Sequence, residues 1–309
     1  MAIINFTPPT IFLAASQWLG TTIILELQAI WNCKKMVESL YHSLSRNLLF
    51  HTSFISSNMG EITRHIHSID ALEHRFPGFG FVPYLVEERP NDLTLIDTCF
   101  IAELPKLEAY INNAGYSMKE IKRIIITHVH VDHTQAANEI KKRSGGQAKI
   151  YSHWADAGYL AHNPPYHGPP THQTIQDILQ RYGVRTEDVV KKFGSMEREA
   201  LLVDGQLKDG DMVEGLQIIH TPGHTPGHIA LYSERHRIIF GADFLFKSVL
   251  GIDGLFIPSQ MAIDPQTAAL SARRISQIKF DKLLLAHQDS PLLEGGQKAV
   301  EKAASSALK

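Results

Sequence analysis

The sequence predicts an α/β protein in which short buried strands alternate with amphipathic helices. Three observations carry that expectation. Short apolar runs recur along the chain, among them the β-branched Ile124-Ile125-Ile126 and the run Leu283-Leu284-Leu285. Longer stretches with a helical apolar pattern follow several of them. The chain beyond Met59 also falls into two halves that agree in order, each giving strands first and a helix after.

Taken in order, residues 81–86 and 93–97 read as two strands around a turn that carries Arg89, Pro90, Asn91 and Asp92. Residues 101–113 read as an amphipathic helix, and Gly115 is a fitting stop. Residues 121–126 form a buried strand, 133–143 a helix closed by Gly145 and Gly146, and 148–151 the next strand. Residues 153–210 are the variable part. Their Pro-rich stretch 163–170 cannot be helical, whereas 172–182 and 186–193 read as helices. Lying between ligand-type groups, this segment is placed like a lid or a pocket wall. Strands return at 216–219, 229–232 and 237–240, then a helix at 266–278, a strand at 282–286 and a helix containing Glu301 and Lys302.

The 309 residues suffice for one large domain, and 44% hydrophobic with 20% charged residues is ordinary globular composition. A formal net charge of −2 gives no general pull toward nucleic acid or an anionic membrane. Two cysteines, Cys33 and Cys99, argue against a disulfide framework and fit a reducing, cytoplasmic location. Residues 1–58 differ from the rest, with five charges only: Glu26, Lys34, Lys35, Glu38 and Arg46. The apolar stretch 11–27 is marginal for a membrane span. The favoured reading makes 1–58 an upstream extension with Met59 as the natural start; the other makes it a targeting or anchoring segment. The domain expected to carry the chemistry is 59–309.

The chain is organised around Thr127-His128-Val129-His130-Val131-Asp132-His133, where the buried strand 121–126 ends. Imidazole and carboxylate are zinc-type ligands. In a locally extended backbone, His128 and His130 point the same way, and Asp132 and His133 follow one turn later toward a second point. One loop can thus supply two neighbouring metals. Further ligand-type residues follow later strands: His220 and His224 after Ile218-Ile219, Asp243 after Phe240, and His287 after Leu285. Several such residues at one end of the strands imply a shared cleft. In Thr221-Pro222-Gly223-His224-Thr225-Pro226-Gly227-His228, the Pro and Gly residues force a tight turn that pushes His224 outward; strand-end hydrogen bonding is the expectation for His220 and His228. His153, His162, His167 and His172 are expected to be exposed or locally hydrogen-bonded.

These motifs resemble the metallo-β-lactamase-fold hydrolases: His128-Val129-His130-Val131-Asp132-His133, the Thr221–Gly227 turn, Gly241-Ala242-Asp243 and a late His287. The resemblance covers about residues 79–290. It implies an αββα sandwich, two mixed β-sheets packed face to face with helices outside. It further implies two divalent metal ions, zinc by default with iron or manganese also suited to the donors. One metal takes His128, His130 and His224, the other Asp132, His133 and His287, and Asp243 bridges them. Asp97 matches the aspartate that braces the ligand loop, and Cys99 stands where the family often has glycine. The implied chemistry is hydrolysis by a metal-bridging hydroxide, with Asp132 helping to hold the metal that stabilises the leaving group.

Asp243 separates this chain from zinc β-lactamases that carry cysteine there, and places it near the glyoxalase II and lactonase-like branch. The Gly-Cys-Gly-Arg-like loop usual in glyoxalase II is missing after Asp243, and Phe246 stands where acyl-homoserine lactonases have tyrosine. A lactone or ester is the first expectation for the substrate. A glyoxalase II-type thioester, a β-lactam or a nucleic-acid phosphodiester are alternatives, the last needing a basic groove that the composition does not suggest. A di-iron redox module is a third class, disfavoured because such relatives often carry glutamate in place of His130. A small molecule is the expected partner, with no nucleic acid, no membrane unless 1–58 anchors the chain, and the oligomeric state left open, a homodimer included. The aromatic stretch 76–81 and the Pro-rich stretch 163–170 are candidate walls of an apolar pocket.

Overall fold

A computed structural model describes residues 60–63, 66–68, 81–169, 197–247, 254–287, 292–294 and 296–308, with a few separate positions between 176 and 191. All belong to the unit Asn58–Lys309. The predicted extension 1–58, most of the predicted helices at 172–182 and 186–193, and His172 lie outside the described residues.

Seven strands form the first sheet in chain order: β1 (Gly60–Thr63), β2 (Ile66–Ser68), β3 (Tyr84–Arg89), β4 (Asp92–Ile96), β5 (Ile121–Ile126), β6 (Lys149–His153) and β7 (Gly205–Leu207). The first four pair antiparallel, and β4 through β7 run parallel. Helices α1 (Leu104–Asn113), α2 (Val131–Thr134), α3 (Ala137–Arg143) and α4 (Trp154–Leu160) lie in the connections between the parallel strands. The second sheet comprises β8 (Met212–Val213), β9 (Leu216–His220), β10 (Ile229–Ser233), β11 (Ile238–Ala242), β14 (Lys282–Leu285) and β15 (Leu292–Glu294), in the order β15-β14-β11-β10-β9-β8. A small ribbon of β12 (Phe246–Lys247) and β13 (Leu255–Phe256) leads to α5 (Pro265–Ile275), and α6 (Gln297–Ala307) closes the fold.

The layers follow from the period of two in strand side chains. Ile125 and Ile96 of the first sheet share one core cluster with Ile218, Leu231, Ile238, Phe240 and Leu284 of the second. Their chain neighbours point the other way. Ile124, Ile126 and Leu95 pack with Leu107, Ile111 and Ile140 of the helices on the first sheet. Ile219, Ala230, Ile239, Leu283 and Leu285 pack with Ala269, Ala272, Ile275 and Val300 on the second. Runs such as Ile124-Ile125-Ile126 are apolar throughout because both faces are covered. The result is the αββα sandwich of the metallo-β-lactamase fold.

Three elements depart from expectation. The predicted helix 133–143 is two helices, α2 and α3. The His133 carbonyl accepts from Thr98 N (2.8 Å) and Thr98 Oγ1 (2.9 Å), and Ala136 N donates to Cys99 O (3.0 Å), so the helical ladder is interrupted by the loop after β4. The predicted helix 101–113 opens with one 3-10 turn, Ile101–Glu103, before Pro105 at the start of α1. Within 153–210, Trp154–Leu160 and Gly205–Leu207 belong to the sandwich framework, which leaves the Pro-rich stretch between them.

Candidate metal centre

The histidine loop leaves β5 and is fixed by one side chain. Asp97, at the end of β4, accepts from Thr127 N and Thr127 Oγ1, both at 2.8 Å, and from His133 Nδ1 at 2.9 Å. It does so from a left-handed backbone (φ 61°), which aspartate tolerates better than most residues. With its proton given to Asp97, Thr127 Oγ1 can only accept from His128 Nδ1 (3.1 Å), so His128 Nε2 presents a lone pair. His130 Nε2 donates to the Pro169 carbonyl (2.8 Å), and Nδ1 is the lone pair.

The turn carrying His224 is held from both sides. A Cβ on Gly223 would stand 2.2 Å from Ala268 N of α5, so that close approach requires glycine, as does its φ of 127°. On the other side Asp156 of α4 accepts from Gly227 N. His220 Nε2 donates to Pro226 O (2.9 Å), and His228 Nδ1 faces Thr221 Oγ1 (2.8 Å), so both ring positions are engaged within the turn. Asp243 follows Ala242, whose φ of 46° aims the carboxylate inward from β11, and His287 follows β14.

All seven sequence-predicted residues converge in two groups: His128, His130, His224 and Asp243, and beside them Asp132, His133 and His287. In the first group His130 Nδ1 lies 3.0 Å from both His128 Nε2 and His224 Nε2, and Asp243 Oδ2 lies 3.8 Å and 3.4 Å from those same two nitrogens. In the second, His287 Nε2 is 3.3 Å and His133 Nε2 3.7 Å from Asp132 Oδ2. Asp243 reaches this group too, with Oδ1 3.4 Å from His133 Nε2 and Oδ2 3.3 Å from His287 Nε2. Tetrahedral ligands at usual zinc bond lengths sit roughly 3.3–3.5 Å apart, so these separations suit a divalent ion inside each group. The buried polar atoms agree: His133 Nε2 and Asp243 Oδ1 face each other without a hydrogen bond. Leaving such atoms unpaired is costly, and a cation satisfies both at once.

The electrostatics divide the imidazoles. Burial, then the neighbouring His224, pushes His130 down to about 3, and burial with His133 and His130 lowers His128 strongly. Burial also opposes charge on His133 and His287, but the carboxylates outweigh it, Asp243 first; His133 rises and His287 is pushed up to about 9. Asp132 and Asp243 stay ionised: burial would raise them, but His133 beside Asp132 and His287 beside Asp243 bring both well below the usual carboxylate range. Aromatic rings back the second group, Phe81 at 4.6 Å from His133 and Phe246 at 5.0 Å from His287, ring centre to ring centre.

A family model described as the metallo-beta-lactamase superfamily matches residues 82–287. The chain belongs to that superfamily. Relatives within it carry hydrolase names, among them a hydroxyacylglutathione hydrolase and a probable metallo-hydrolase. Among curated relatives, the hydroxyacylglutathione hydrolase GloC of Haemophilus influenzae is 28% identical over 133 residues, covering 42% of this chain and 53% of that protein. The probable metallo-hydrolase YflN of Bacillus subtilis is 25% identical over 224 residues, 64% of this chain and 76% of its own. The acyl-coenzyme A thioesterase MBLAC2 of Homo sapiens is 25% identical over 130 residues, 41% of this chain and 42% of its own. The chain thus spans about half the length of GloC. Among solved structures, a metallo-beta-lactamase family protein from Thermus thermophilus shares the fold at TM-score 0.55 and 19% identity, over 80% of this chain and 79% of that one. An archaeal superfamily protein from Sulfolobus tokodaii does so at 0.54 and 18%, over 80% and 87%.

The motifs did not reveal the groups that hold the histidines from outside. The Pro169 carbonyl on His130 also accepts from Tyr166 Oη (3.0 Å), which draws the Pro-rich stretch onto the first group. Asp156 touches both ligand loops. No local signal marks either. His153 is buried and locally bonded, its Nδ1 accepting from Ala155 N (3.3 Å), and His162 and His167 are exposed. Among the described residues, no helix is long and apolar enough to cross a membrane.

Proposed function

We propose that the protein is a dinuclear-metal hydrolase of small acyl thioesters. The observation that carries the dinuclear part is the position of Asp243, whose carboxylate lies within 3.3–3.8 Å of nitrogens in both groups. His128, His130 and His224 would hold one ion, Asp132, His133 and His287 the other, with Asp243 shared and zinc the default occupant. When bound, such a pair lowers the pKa of water and polarises an acyl oxygen.

The chain's own groups prepare the centre for that work. Pro169 O and Thr127 Oγ1 fix the tautomers of His130 and His128, so their lone pairs face inward without reorganisation. Phe81 and Phe246 exclude water behind His133 and His287. Asp132 has a side chain 20% exposed, the most open of the acidic groups, and marks the side where a substrate enters. Held ionised by His133 and His287 against its burial, it is an anion at neutral pH, suited to holding a cation or accepting a hydrogen bond and not to taking up a proton.

Thioesters move ahead of the lactones and esters favoured by motif because named relatives act on acylated thiols: GloC and MBLAC2. Phe246 supports that order, since a phenyl ring offers no hydroxyl to orient a lactone. The test is an activity panel on the metal-loaded protein with acyl-coenzyme A and acyl-glutathione thioesters, acyl-homoserine lactones, β-lactams and a bis-nitrophenyl phosphate. The thioesters should give the highest kcat/KM. A higher value for the lactones restores the ester reading, and turnover of the phosphodiester alone overturns both.

A further inference from the structure

A buried carboxylate that is not one of the seven lies between the two loops that carry the first group. Asp156, fully buried in the first turn of α4, accepts from Val129 N (3.0 Å) and Thr225 Oγ1 (2.7 Å) through Oδ2, and from Gly227 N (2.6 Å) through Oδ1. Val129 stands between His128 and His130. Thr225 follows His224, and Gly227 precedes His228. One side chain thus ties the loop after β5, in the first sheet, to the turn after β9, in the second. The three imidazoles His128, His130 and His224 come from those two segments and from nowhere else.

We propose that Asp156 is a positioning residue that sets the spacing of the His128, His130 and His224 nitrogens, and hence the metal affinity of that group alone. The inference rests on the dinuclear reading above. The geometry leaves little latitude. A Cβ on Gly227 would lie 2.5 Å from Asp156 N and 2.7 Å from Asp156 Oδ1, so the turn closes on the carboxylate with glycine as a condition of contact. All three partners donate, and a carboxylate is acceptor-only. An asparagine would set its NH2 against either the Gly227 N–H or the Val129 N–H, donor against donor. The second group is held differently: Asp97 accepts from His133, and among the described residues the Asp156 hydrogen bonds go to Val129, Thr225 and Gly227 and not to Asp132, His133 or His287.

The experiment titrates the metal-free full chain with Zn2+ against a competing chelator. Two binding steps are expected in the wild type. His224→Ala identifies the step belonging to the first group, and His287→Ala the other. Asp156→Asn, with unchanged far-UV circular dichroism, should weaken the His224-dependent step by ~10–100-fold and leave the His287-dependent step in place. A general loss of structure would weaken both. If Asp156→Asn does not fold, Thr225→Val removes one of the three bonds and should weaken the same step, with Thr225→Ser restoring it. Equal weakening of both steps, no change in either, or failure of serine to restore overturns the proposal. A wild-type chain that takes up no metal overturns the dinuclear reading itself. Two ions bound with wild-type affinity in Asp156→Asn overturns only the role given to Asp156.

Discussion

His228 Nε2 accepts a hydrogen bond from the backbone N–H of Asp243 across 3.2 Å. Its Nδ1 then carries the proton and donates to Thr221 Oγ1 at 2.8 Å. Burial, joined by the neighbouring His224, lowers the pKa of His228 far below its ordinary value and keeps the ring neutral. With both nitrogens engaged, this imidazole steers the residue that bears the shared carboxylate and has no lone pair left for a metal. His224 differs, since its Nε2 faces His130 Nδ1 at 3.0 Å and Asp243 Oδ2 at 3.4 Å.

The histidines of this turn should therefore separate on substitution. His224→Ala should lose the metal of the first group and nearly all hydrolysis. His228→Ala and His220→Ala should keep two metals, with activity reduced by at most ~10–100-fold, the usual cost of removing a group that orients a ligand. Elemental analysis, kcat and a thermal melt on each variant make the comparison. Full metal in His224→Ala with an empty site in His228→Ala would reverse the assignment.

Metal content itself is the second prediction. Seven donors in two groups sharing Asp243 should bind close to two equivalents of divalent metal per chain. Dialysis against a chelator should abolish hydrolysis, and added Zn2+ should restore it. A firm value near one equivalent at full activity is incompatible with a dinuclear centre.

The longer central strands were legible because they are short apolar runs covered on both faces, and 121–126 matches β5 end to end. The site was legible because its residues stand just past strands whose ends converge: His128 after Ile126, Asp243 after β11, His287 after β14. What stayed hidden depends on contacts between distant parts of the chain. The break between α2 and α3 is made by Thr98 and Cys99, far from it in sequence. The two-residue strand β8 and three-residue strand β7 are too short to show a period. Asp156 reads as an ordinary first-turn acid of a helix, and its partners are 27, 69 and 71 positions away.

A third prediction concerns the first 58 residues. Every member of both groups, and each residue named above as bracing them, lies between Phe81 and His287. A chain starting at Met59 should fold, bind the same two equivalents and retain the kcat/KM of the full chain. Soluble expression, metal analysis and the thioester assay check it. Loss of folding would show that the N-terminal segment contributes to the core.

The last prediction is a pH dependence away from the metal groups. His153 ends β6 and caps α4, and its ring stacks on His220 with centroids 3.9 Å apart and planes 14° from parallel. Burial, then the charge of His220, lowers its pKa from 6.5 to about 4. The unfolded chain therefore takes up this proton more readily than the folded one. The stability His153 contributes is fully present above the unfolded value of 6.5 and is lost as pH falls toward about 4. Asparagine at this position keeps an N-cap acceptor for α4 and has no proton to gain in that window. Urea unfolding midpoints across this range should fall more steeply for the wild type than for His153→Asn, by the equivalent of up to one proton. Parallel curves for the two proteins would place the acid sensitivity in other groups and leave the stacked pair without a part in it.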